Sequence, residues 1–176
     1  MTNTLKHSSA LFFALSLLAA GCKDDDPELA PIDQLPPATQ NGAYTFGCLV
    51  NGEARVPDNT NDIGAIYQGG VLQMYGEFDI VNGEQGIAIN IYSSIQNGRK
   101  YDLTGSPMED VIFDWGEGDD IRCRYQPENT LSGTLTITHF DNEEYIVSGT
   151  FEFTTATEGC DTIRVTDGRF DIPYTP

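Results

Sequence analysis

Bases, histidine and long apolar runs are all scarce in this chain. It has 9 lysines and arginines against 27 aspartates and glutamates. Nucleic acid demands clustered cations, so this balance argues against that partner. It argues equally against electrostatic docking on anionic lipid. Histidine occurs twice, as His7 and His139. A Ser-His-Asp device would rest on His139 alone, and a paired-histidine metal motif has no second member. His139 closes an alternating run just before an Asp-Asn turn, an ordinary strand-end position. No Gly-Xaa-Ser-Xaa-Gly elbow is present. The longest apolar run, residues 10–20, falls well short of the ~20 residues a helix needs to span ~30 Å of hydrocarbon. Beyond residue 44 no stretch of roughly ten residues has a 3.6 period, which excludes helical fold classes.

The first 22 residues have the layout of a secretory leader. Lys6 and His7 form a weakly basic start, an apolar run from Ala10 to Ala20 follows, and Gly21-Cys22 closes it. Leu18-Ala19-Ala20-Gly21-Cys22 resembles the bacterial lipobox, although Ala19 holds the place where leucine is usual. The resemblance implies cleavage of residues 1–21 and lipidation of Cys22, with each buried CH₂ contributing ~0.8 kcal/mol to anchoring. The mature chain then keeps 8 bases against 27 acids, a net −19. Lys23-Asp24-Asp25-Asp26 resembles the export signal of Bacteroidota surface lipoproteins, which implies the outer face of the outer membrane. Pro27, Pro31, Pro36 and Pro37 then stand among polar residues without any period. Residues 22–43 therefore read as a semi-stiff spacer.

From Tyr44 onward the period is two. Leu72, Met74, Phe78 and Ile80 alternate with Gln73, Glu77 and Asp79. Ile87, Ile89 and Ile91 repeat the pattern. So do Leu131, Leu135 and Ile137, then Tyr145, Val147, Phe151 and Phe153, then Ile163 and Val165. A side-chain period of two marks half-buried strands. Between the runs stand Asn51-Gly52, Gly69-Gly70, Asn82-Gly83, Asn97-Gly98, Asp141-Asn142 and Asp167-Gly168, pairs that tolerate the positive φ of tight hairpins. Residues 44–176 are predicted to form one antiparallel all-β domain of about 8–10 strands. Periodicity does not choose between a sandwich and a partly closed barrel.

Cys48, Cys123 and Cys160 remain after the leader, in an oxidising compartment. One internal bridge is expected, Cys123–Cys160, with Cys48 buried as a small hydrophobe. Two acidic loops raise a calcium hypothesis. Asp114, Glu117, Asp119 and Asp120 fall within seven residues that also hold two glycines. Asp58, Asn59, Thr60, Asn61 and Asp62 offer oxygens in the manner of an EF-hand start, but without its closing glutamate. Either stretch also suits a solvated turn. Apart from calcium no cofactor is expected. Trp115 is the sole tryptophan and is expected on the acidic loop, either folded back over the core edge or exposed as a handle for a sugar ring or a protein partner. Asp161-Thr162-Ile163 matches a short acceptor pattern for O-glycosylation at Thr162.

Two segments together resemble an uncharacterised family of small Bacteroidota lipoproteins, a domain of unknown function. One is Leu35 through Gly52. The other is Ser148-Gly149-Thr150-Phe151-Glu152-Phe153 with Val165 through Asp171. The resemblance supports the address and the fold class and implies no catalytic residue. The functional expectation is a non-enzymatic binding or accessory module anchored in the outer membrane, engaging glycan or an envelope protein. A structural subunit of a surface assembly and a hydrolase built on acidic residues are the alternatives.

Overall fold

The computed structural model describes residues 29–105, 107–117 and 120–176, and of Glu117, Asp120 and Ile121 the backbone only. The leader, Cys22 and the acidic tract after it lie outside the described residues.

Eleven strands among the described residues form two sheets. They are β1 (Thr45–Val50), β2 (Glu53–Arg55), β3 (Ile63–Gln68), β4 (Val71–Ile80), β5 (Gly83–Ile91), β6 (Lys100–Asp102), β7 (Glu109–Glu117), β8 (Asp120–Tyr125), β9 (Thr130–Asp141), β10 (Ile146–Thr155) and β11 (Ile163–Pro173). One sheet has the order β2-β1-β11-β10-β9-β6, the other β3-β4-β5-β7-β8. All ladders within the sheets are antiparallel. The fold is an all-β sandwich. It has one strand more than the expected upper bound. Both β2 and β6 have three residues, too few to establish an alternation in sequence.

The apolar parity of each run meets between the sheets. Leu72, Met74, Phe78, Ile87, Ile89, Ile91, Val111 and Phe113 face Phe46, Leu135, Ile137, Val147, Phe151, Phe153 and Phe170. Phe46 bridges the layers, with ring centroids 5.9 Å from Phe78 and 5.2 Å from Phe151. Gly76 makes room for it, since a Cβ there would stand 2.5 Å from the Phe46 ring.

Two local expectations are corrected. Leu131 was assigned to the buried parity but is 66% exposed. Thr130 pairs with Thr155 and Ser132 with Thr154, so Leu131 is the extra residue of a β-bulge. Asp167-Gly168 is not a turn either. β11 runs through it, with Asp167 at φ 54° inside a bulge where the β10 register shifts. A Cβ on Gly168 would meet the Phe151 carbonyl oxygen at 2.5 Å.

The spacer expected over residues 22–43 is shorter than its composition suggests. Pro31–Gln34 form a 3-10 turn, and Leu35 is buried. Pro36 lies over Gly47, where a Cβ would come within 2.8 Å of its ring. Residues 39–43 then converge on Asp171. The carboxylate accepts from Thr39 Oγ1 at 2.7 Å and from the backbone N–H groups of Asn41 (2.9 Å), Gly42 (2.9 Å) and Ala43 (3.1 Å). Ser148 Oγ donates a further bond at 2.8 Å. Proline excludes a helix here but does not exclude docking, and a buried carboxylate needs donors.

Candidate functional site

Cys123 and Cys160 form a disulfide across a Cα separation of 6.1 Å, and Cys48 is a free, buried thiol. Burial pushes the Cys48 thiol up to about 12, with Arg55 acting in the opposite sense.

Trp115 lies in β7, not on a loop, in register with Gln85 and Cys123. Gly116, which suggested a loop, instead marks a bulge against β8. The Trp115 side chain is partly buried against the core, on the same parity as Val111 and Phe113. With the disulfide, Tyr125 and Asp161 it lines a cleft of about 330 Å³. Tyr125 Oη closes that end by donating to the Asp161 carbonyl at 2.6 Å.

Of the four residues of the calcium hypothesis, Asp114 does not lie on a loop. Asp114 stands within β7, opposite Gly86 on one side and Arg124 on the other. Glu117 and Asp120 pair at the β7–β8 end. Asp119 and the side chains of Glu117 and Asp120 lie outside the described residues. Burial raises the Asp114 carboxyl, and Arg124 partly offsets this. Glu77, opposite Gly86 from the other strand, is raised by burial and then by Glu84, Asp62 and Asp114. In the other stretch two of the side chains, Asn59 and Asp62, are engaged with each other. Asn59 Oδ1 accepts from the Asn61 N–H at 2.9 Å, and its amide donates to Asp62. Among the described residues no group of three or more His, Cys, Asp or Glu is placed to hold a metal ion.

His139 faces Asp141 at 3.9 Å, while one oxygen of Asp141 is taken by the Glu143 and Glu144 amides. Its cross-strand neighbour Ser148 donates to Asp171 instead. Thr162 is exposed, immediately before β11, and its carbonyl accepts from Asn51. That leaves its hydroxyl accessible from solvent. No helix among the described residues is long and apolar enough to cross a membrane.

Two adjoining openings, of about 510 Å³ and about 280 Å³, lie on the outer face of the six-stranded sheet, and Thr134 and Glu152 line both. The floor is built by register. Lys100 stands opposite Thr136, Thr136 opposite Thr150, and Thr150 opposite Arg169, making one row across β6, β9, β10 and β11. A second row runs Ser132, Thr154, Arg164. Glu152 and Thr134 pair between the two rows. The docked N-terminal segment forms a rim: Ala38 lines the larger opening, and Arg169 Nη1 donates to the Pro36 carbonyl at 3.4 Å. The bulge at Asp167 keeps Asp167, Gly168 and Arg169 all at the groove. None of these residues was singled out as a site by sequence. The available signal was the threonine-rich polar parity of β9 and β10, which reads as an ordinary solvated face.

No protein-family model, curated protein or solved structure matches the chain.

Proposed function

We propose that this protein is a lipid-anchored lipoprotein of the outer membrane, facing the cell exterior, and that it binds an extended saccharide without transforming it. The observation that carries the ligand reading is the groove on the six-stranded sheet, two adjoining openings floored by strand-borne hydroxyls. Hydroxyls fixed on a sheet present donors and acceptors in a set spacing, which suits a polyhydroxylated chain. The lining is unlike the centre of a protein interface, which is built on protruding aromatic and aliphatic anchors. Phe151 is the aromatic side chain at the larger opening, and it is buried.

The address follows from the resemblance at Leu18–Cys22 and at Lys23–Asp26. Globomycin should then block processing, and Cys22→Ser should leave the mature chain in the aqueous phase on detergent partition. A chain that partitions like the parent after Cys22→Ser would overturn the anchor.

Glycan-array binding by the mature chain tests the ligand. Thr136→Val with Thr150→Val should abolish the signal while leaving the thermal unfolding midpoint near its original value. A second reading has its own observation, the Trp115 cleft. If Trp115→Ala abolishes glycan binding and the threonine pair does not, the ligand sits beside the disulfide. Absence of binding to any glycan would remove the saccharide reading.

A further inference from the structure

This chain has three acids for every base, so cations gathered on one face stand out. Lys100 and Arg164 make no side-chain hydrogen bond or ion pair among the described residues. Arg169 is held, but by neutral groups: its Nε donates to the Asp167 carbonyl at 3.2 Å and its Nη1 to the Pro36 carbonyl at 3.4 Å. Those contacts fix the guanidinium without cancelling its charge. All three cations line the two openings of the groove. Seven lysines and arginines lie beyond residue 28, so nearly half of them border one face.

The arrangement repeats. Lys100 and Arg169 terminate a row with Thr136 and Thr150 between them, and three strand spacings put their backbones about 14 Å apart. Arg164 terminates the Ser132–Thr154 row. Thr150 and Thr154 are four positions apart on β10, so the two rows lie about 14 Å from each other along the groove. Between them stands Glu152, 3.5 Å from Thr134 Oγ1. Glu152 disfavours an anion at its own row and accepts hydroxyls there. Along β10 the face thus runs cation, acid, cation, with Asp102 opposite Thr134 in the acidic row and Asp167 also lining the larger opening.

We propose that the groove takes an anionic saccharide chain, bearing carboxylate or sulfate groups, with one acidic group at the Lys100–Arg169 row and another near Arg164. This deepens the saccharide reading above and rests on it. Long-range repulsion from the acidic remainder of the surface does not decide the outcome at physiological ionic strength, where charges beyond ~8 Å are largely screened.

Affinity electrophoresis of the mature chain in gels containing polygalacturonate, heparin or dextran tests it. The expected result is retardation by an acidic polymer and none by dextran. Retardation by polygalacturonate identifies carboxylate as the recognised group, and retardation by heparin without retardation by polygalacturonate identifies sulfate. Lys100→Gln with Arg169→Gln should weaken that binding about tenfold or more, whereas Arg122→Gln with Arg124→Gln, a charge-matched change on the other sheet, should not. Lys100 is exposed and unpartnered, so Lys100→Glu alone is a second variant that keeps the fold and should also lose binding. Retardation by dextran that survives the Lys100/Arg169 change overturns the anionic class and leaves the saccharide groove standing. Acidic-polymer binding that survives both Lys100 variants overturns the location. No retardation by any of the three polymers, together with a blank glycan array, overturns both readings.

Discussion

Asp171 is fully buried, has no cation beside it and accepts five hydrogen bonds. Burial alone would push this carboxyl up. The donors from Thr39, Asn41, Ser148 and Gly42 outweigh burial and hold it at about 2, below its ordinary 3.8. A carboxylate depressed in the folded state contributes stability that is complete above its unfolded value and vanishes as pH falls through the folded one. The contribution is roughly 2 kcal/mol. Urea unfolding should therefore show stability falling between about pH 4 and pH 2, and Asp171→Asn should flatten that window. An Asn variant with the same acid slope would assign the loss to another group. The thiol of Cys48 carries a second prediction at this scale. Held near 12 and buried, it should resist iodoacetamide at mildly alkaline pH in the native protein and react at once in urea. Rapid alkylation of the native chain would contradict the burial.

The disulfide acts on elements, because it ties the turn before β11 to edge strand β8. Its 37-residue separation predicts about 4 kcal/mol of stabilisation from the unfolded state. Cys123→Ala with Cys160→Ala should lower the urea midpoint accordingly and raise Trp115 fluorescence, since the bridge that walls the Trp115 cleft also quenches the indole. An unchanged midpoint would mean that the bridge adds no net stability. Much of this level was legible in sequence. Alternation locates β4, β5, β9, β10 and β11 because one face of each is buried, and the Cys123–Cys160 bridge was expected between a strand-like segment and the turn before the last strand. What sequence misplaced has a common cause. Asp167-Gly168 and Gly116 signal positive φ or loose side-chain demand, and a bulge inside a continuing ladder meets the same demand as a turn. Leu131 counts as core by parity until one inserted residue changes the count. The groove was illegible for a different reason. Its pattern is made by register across four strands, and Lys100, Thr136, Thr150 and Arg169 are separated in sequence by up to 69 positions. No local window contains that row.

At the scale of the whole molecule, the segment before β1 is part of the fold. Pro36 covers Gly47, Leu35 is buried, and residues 39–43 supply four of the five donors to Asp171. The segment from Leu35 on is therefore packed into the sandwich and clasped to β11. A chain beginning at Leu35 should unfold like one beginning at Leu29. A chain beginning at Tyr44 leaves the buried carboxylate with Ser148 alone, and a buried charge stripped of its partners costs on the order of 3–5 kcal/mol. The pH response should change with it. With four of its five donors gone the carboxyl is no longer held low in the folded state, so the stability that the full chain loses between about pH 4 and pH 2 should be largely missing from the shortened one. The same truncation removes the Pro36 carbonyl from Arg169 and the Ala38 rim from the groove, so glycan binding should fail with it. Parallel urea titrations of the three chains across the acid range read both effects. A chain from Tyr44 with the full chain's acid profile would show that the segment does not hold the carboxylate, and the link between this segment and the binding face would go with it.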